Sequence, residues 1–148
     1  MDASFAVYGA LLATALFVWF AILGFLMGTL GPWRKLAAVH RAERSPESPP
    51  LGRQYAMFGR VRYNGVLRFA FETAGLHVSI HPLFRLGHPP LLIPWSAFPS
   101  IRRKDKKPDS LAVETEPGVA LELSARHEEE LRRRTGLTGD TPVSREAE

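Results

Sequence analysis

The chain divides by its hydrophobic pattern into an unbroken apolar run and a longer stretch in which apolar and polar positions alternate. From Ala3 to Trp33 there are 31 consecutive uncharged residues, and Phe5 to Leu30 are almost all apolar. A membrane-spanning helix needs about 20 such residues. A buried core helix of this length would find too little core to cover it in a protein of 148 residues. The pattern predicts a short extracytoplasmic N-terminus over 1–4 and a transmembrane helix over 5–31. Tyr8 and Trp33 sit where interfacial aromatics belong, and Gly31-Pro32 closes the span because proline removes a backbone donor. A cleaved signal peptide would need a basic segment ahead of the run, and the only charge there is Asp2.

Residues 32–52 form the connection. Trp33, Leu36, Ala37 and His40 recur at i, i+3, i+4 and i+7, while Arg34, Lys35, Arg41 and Arg44 lie elsewhere around the turn. The stretch reads as a short amphipathic helix lying against lipid headgroups, or as a plain continuation into a linker. Ser45 to Pro50 holds three prolines in six residues, a stiff spacer that marks a domain boundary.

Period two dominates residues 53–136. Leu67, Phe69 and Phe71 alternate with polar or small neighbours, as do Leu76, Val78 and Ile80, then Leu111, Val113 and Thr115, then Val119, Leu121 and Leu123. Asn64-Gly65, Thr73-Ala74-Gly75 and Pro117-Gly118 carry turn chemistry between them. The period then changes. Ser124 reads as the cap of a helix running to Arg134, stopped by Gly136, with Glu128 to Glu130 placed to pair with Arg132 to Arg134. Residues 137–148 are polar and read as a disordered tail. The fold class expected is an N-terminal transmembrane α-helix, then a mainly-β antiparallel barrel with a C-terminal α-helix.

Charge sharpens this picture. All 19 basic residues and 14 of the 15 acidic ones follow Trp33, so the later portion carries a net +5. That suits a domain near an anionic surface and is too modest to argue for nucleic acid. Basic residues follow the span and none precedes it, which predicts an outside N-terminus and a cytoplasmic domain. Arg34, Lys35 and Arg41 are candidate lipid contacts, together with Arg102, Arg103, Lys104, Lys106 and Lys107. These last five form a basic run read either as a solvated hairpin tip or as a tethered lipid contact. Within the span, Ala21, Gly24, Gly28 and Gly31 form a small-residue stripe of the kind that lets two helices approach, as in a homodimer.

Candidate chemistry is sparse. Cysteine is absent, so thiolate metal sites and disulfides are ruled out. His77 and His81 share a strand face about 13 Å apart, too far to ligate one metal ion. His127, beside Glu128, reads as a surface residue. No serine lies in a nucleophile motif, and no glycine-rich phosphate loop is present. No catalytic residues, metal site or cofactor are expected. Five of the twelve prolines fall between Pro82 and Pro99. They predict either a barrel corner or a rigid projecting loop from Phe84 to Pro90 that displays Arg85 and His88 to a protein partner, with Leu91 to Ile93 pairing briefly and Trp95 entering the core.

Two resemblances follow. About six antiparallel strands and a terminal helix, over Gly52 to Gly136, resemble pleckstrin-homology-like domains in element order. The run from Arg62 to Trp95 resembles a family of small uncharacterised bacterial membrane proteins, through Tyr63-Asn64, Gly75-Leu76, Phe84-Arg85, Gly87-His88-Pro89-Pro90 and Ile93-Pro94-Trp95. The second resemblance implies a bacterial inner-membrane setting and brings no activity with it. The expectation is a non-enzymatic, membrane-anchored binding or scaffold protein whose β domain docks a protein partner or an anionic lipid surface. The alternative is a small accessory subunit of an envelope complex, held mainly by its membrane helix.

Overall fold

The computed structural model describes residues 3–138, so most of the expected tail (139–148) lies outside the described residues. Helix α1 spans Ala3–Leu30 and is apolar on every side, with Phe5, Phe17, Trp19 and Leu30 all widely exposed. It is long and apolar enough to cross a membrane. After a one-residue break at Gly31, α2 covers Pro32–His40, with Pro32 at the first helical position, where its missing N–H costs nothing.

Seven strands follow: β1 Leu51–Phe58, β2 Val61–Phe71, β3 Gly75–Ile80, β4 Leu91–Pro94, β5 Ser100–Lys104, β6 Lys107–Thr115 and β7 Val119–Ser124. They form one antiparallel sheet in the order β4-β3-β2-β1-β7-β6-β5, curled into a half-barrel, and the C-terminal helix α3 follows at Glu128–Thr135. The period-two pattern sets the register. Leu67 faces Ile80, Phe69 faces Val78, Leu111 faces Leu123 and Val113 faces Leu121, so the apolar sets of neighbouring strands land on one concave face. Leu131 of α3 is fully buried against that core. Gly136 ends α3 in the left-handed conformation, its N–H donating to the Arg132 carbonyl.

Two local expectations change. Asn64-Gly65 makes no turn. It lies inside β2, where the pairing with β1 slips between Gln54 and Ala56 and Gly65 takes φ +69°, a bulge in a long strand. The β1–β2 reversal falls instead at Gly59-Arg60, with Gly59 at φ +59°. Ser124 makes no side-chain cap, because a 3-10 turn over Ala125–His127 intervenes before α3.

A larger difference concerns the connection. The apolar face of α2 packs on protein, not on headgroups. Trp33 and Leu36 are completely buried and belong to the same core as the strands. α2 packs against β4 and β7, and His40 Nε2 donates to the Glu116 carbonyl at 2.6 Å. The chain then wraps on: Arg41 bridges Leu91, Ala42 N–H donates to Pro90 O at 2.8 Å, and Glu47 N–H donates to the Glu72 carboxylate at 2.7 Å. The proline-rich stretch is therefore laid against the β domain. It lies beside the outer face of β3, which explains why His77 and Ser79 are buried although their strand alternates.

Candidate functional site

Where α1 ends, three backbones meet. A Cβ at Gly28 would overlap the Gly87 carbonyl, and a Cβ at Gly87 would lie 2.7 Å from Phe25 O. Gly87 has φ +76°, a conformation side chains resist. Two glycines thus permit direct contact between the membrane helix and the loop joining β3 to β4. Gly28, expected to face a second helix, is buried by this contact within the chain. Gly31 forms the break between α1 and α2, while nothing lies within 4 Å of a Cβ at Gly24. Ala21 is half-buried.

The seam continues into an aromatic cluster. The Trp33 ring lies 5.1 Å from Phe58, 5.5 Å from Tyr63 and 5.2 Å edge-on from His88, and its indole N–H donates to Pro89 O at 2.9 Å. Trp33, expected at the lipid interface, is a core residue instead. His88, expected on display, is buried: Tyr63 OH donates to Nε2 at 3.1 Å, and Nδ1 donates to Leu86 O at 3.0 Å. Acceptance at Nε2 requires the neutral ring, and burial holds the His88 pKa below its ordinary value. Burial likewise pushes Tyr63 up to about 12. Gly87 to Pro90 therefore latches the domain to the span.

Beside this latch opens a cleft of about 780 Å³ between the end of α1, the outer face of α2 and the β3–β4 loop. Arg34 and Arg41 line one wall, two helical turns apart, with Ala37 and Ala38 between them. Arg85 comes from the opposite wall. Small alanines leave a floor between long cationic arms. No carboxylate lines the cleft, and among the described residues none of its three arginines has an ion-pair partner. Lys35 is exposed on α2 outside the cleft. Leu86 is on the rim, and the same loop carries two more large, apolar, exposed side chains just before it: Leu83, Phe84 and Leu86 are 64, 52 and 61 % exposed.

The second basic cluster is arranged otherwise. Arg102 lies 4.0 Å from Glu114, Arg103 pairs with Glu128, and Lys104 and Lys107 reach Glu122 at 2.7 and 3.6 Å. The Lys104 hydrogen bond holds the Glu122 carboxyl below the usual range, and the Arg103 hydrogen bond does the same for Glu128. Only Lys106 of the five carries no carboxylate partner among the described residues.

Three further residues complete the survey, and Trp95 packs against the core as its sequence context predicts. His127, read as a surface residue, is buried, with Nε2 2.9 Å from the Gln54 amide oxygen. Its ring lies beside Phe69 and Phe71, and burial lowers its pKa. His77 is buried, with no hydrogen bond of good geometry at either ring nitrogen among the described residues, and burial lowers its pKa as well. Trp95 is half-buried at the far end of the half-barrel, stacked on Phe71, with Arg134 6.0 Å above its ring. Among the described residues no group of three or more His, Asp or Glu is placed to hold a metal ion. No protein-family model, curated protein or solved structure matches the chain.

Proposed function

We propose that the chain is a non-enzymatic docking protein of the bacterial inner membrane, spanned once by α1, with its N-terminal side outside and its β domain held against the cytoplasmic face. One observation carries this reading: the Gly28–Gly87 contact and the buried Trp33 join the apolar helix to the domain's own core. A flexible tether would let the domain swing. This seam fixes its height and tilt, and turns the arginine-lined side toward the end of the span. It also argues against a removable leader, whose last turn would have no reason to fit the mature domain. The basic residues Arg34, Lys35 and Arg41 follow the span, as a cytoplasmic flank does.

Two measurements test the reading. The chain should resist alkaline carbonate extraction. Single cysteines at Ser4 and Lys106, clean probes in a chain without cysteine, should react with an impermeant maleimide in intact cells only at Ser4. Reaction at Lys106→Cys reverses the topology.

An accessory-subunit role, with the helix as the main contact, is favoured by the open surface at Gly24. Exchanging residues 5–24 for an unrelated apolar helix, with the Gly28 seam kept, separates the two roles. A docking protein tolerates the exchange and an accessory subunit loses its complex.

A further inference from the structure

From the cleft at the end of α1 we infer that the protein holds a single anionic phospholipid, its phosphodiester between Arg34, Arg41 and Arg85 and its acyl chains running down beside Leu86 and the last turns of α1. The inference rests on the reading of α1 as a membrane span and names the ligand of the surface that this span presents.

Three independent features lead to it. The first is charge left unspent. Three arginines line one cleft whose lining holds no carboxylate, and none of them is ion-paired among the described residues, in a chain whose other basic cluster is mostly neutralised by Glu114, Glu122 and Glu128. Guanidinium forks suit phosphate oxygens, which they bind with paired charge-assisted hydrogen bonds. The second is depth. Gly87 touches α1 between Phe25 and Gly28, while Leu30, further toward the domain, is still exposed and apolar. A helix of 28 residues is about 42 Å long, against a hydrocarbon core of about 30 Å. The cleft therefore lies at the level where headgroups replace acyl chains. The third is the rim. Leu83, Phe84 and Leu86 project from a loop seated beside the helix, and solvent is an unfavourable neighbour for three such side chains within four residues. At that depth they meet lipid, with Arg85 among them reaching outward to the phosphate layer as long cationic side chains do.

A soluble phosphate compound offers the same anion without the chains. The apolar rim and its continuity with α1 decide for the lipid, since neither serves a ligand that arrives from water.

The test uses the full chain, purified in mild detergent with a mixture of phosphatidylglycerol and phosphatidylcholine, and counts retained lipid by native mass spectrometry. Wild-type protein should keep phosphatidylglycerol selectively. The Arg34→Gln, Arg41→Gln, Arg85→Gln triple variant should lose it, by about fivefold in affinity per arginine removed. Arg102→Gln, Lys106→Gln, Lys107→Gln removes the same charge elsewhere and should leave retention unchanged. Arg85→Gln alone, which leaves α2 untouched, should show the single-site loss if the triple variant unfolds. Equal loss from both triple variants, or none from either, overturns the inference. So does displacement of the lipid by millimolar glycerol phosphate, which would make the site a soluble-phosphate site. Carbonate extraction of the wild-type chain would remove the span reading itself. A chain that stays in the membrane while its arginine variants keep phosphatidylglycerol sinks only the lipid site.

Discussion

Two basic regions, one of five cations and one of three, have opposite structural fates. Around the β5–β6 hairpin, Arg102, Arg103, Lys104 and Lys107 each face a glutamate from β6, β7 or α3. In the cleft at the end of α1, Arg34, Arg41 and Arg85 line one hollow without a carboxylate in its lining, and none of the three is ion-paired among the described residues. By sequence the hairpin is the denser cluster, with five basic residues in six. Density is not availability. Antiparallel neighbours put Glu114 and Glu122 within reach of the hairpin, and cross-strand pairs of opposite charge are what a sheet selects. The cleft's cations come from α2, the residue after it and a distant loop, outside the strand ladder that pairs the hairpin's charges.

Four outcomes would break or sharpen this contrast, beginning with the largest. Trp33→Ala removes the residue that ties the cleft's walls to the core and should cost about 3–5 kcal/mol in denaturant unfolding of the detergent-solubilised chain. Arg102→Ala at the hairpin should cost well under 1 kcal/mol, because that pair is long and half in water. Equal costs would mean that the latch around Trp33 does not hold the domain.

Gly28→Val forces a side chain into the Gly87 backbone and should cost about 1–3 kcal/mol, with faster amide exchange over 85–90. Gly24→Val, one turn earlier, meets nothing and should be silent. If both are silent, the domain does not rest on the span.

Acid should act on the latch before the hairpin. His88, His77 and His127 all have lowered pKa values in the folded chain, so the unfolded chain takes up protons first as pH falls below about 6.5. Their contribution is complete above that value and is lost as pH falls toward their folded values, at no more than about 1.4 kcal/mol per pH unit for each histidine. The carboxyls of Glu122 and Glu128 are also held low, so the hairpin's pairs contribute fully above the ordinary glutamate value of 4.5 and fail only as pH drops below it. A thermal melt followed from pH 8 to 4 should show the histidine step first, and His88→Gln should shrink it.

The smallest effect is the most discriminating. Glu122→Gln releases Lys104 and Lys107 and should raise the hairpin's attraction for anionic vesicles, with a stability loss under about 1 kcal/mol, since both lysines are more than a third exposed. No gain in vesicle binding would show that geometry, and not pairing, keeps the hairpin from the membrane.

The motif residues Gly87-His88-Pro89-Pro90 are legible in the sequence as a rigid, proline-framed stretch, which local rules leave open between a barrel corner and a loop displayed outward. They face inward: Gly87 meets α1, His88 bonds to Tyr63, Pro89 accepts from Trp33 and Pro90 accepts from Ala42. No sequence rule distinguishes a histidine displayed on a rigid loop from one buried by it. The signal that was available lay in the spacing of Trp33 and Leu36, a helical apolar face that needs a partner. Lipid and protein satisfy that face equally, so its period did not choose between them.

By itself the sequence determined the elements whose physics is local. An uncharged run of 31 residues yields an apolar helix wherever it is placed. Strict alternation over Leu67 to Phe71, Leu111 to Thr115 and Val119 to Leu123 yields half-buried strands, because side chains in a strand point to opposite faces in turn. Gly136 ends a helix because it accepts a left-handed backbone. Tertiary structure alone decided which charges are spent and which are free, that α2 closes the β core, and that Gly28 touches Gly87. Each of these joins residues dozens of positions apart, as Trp33 and Pro89 are joined across 56. Such contacts depend on where the curled sheet brings its loops, and local periodicity carries no record of that.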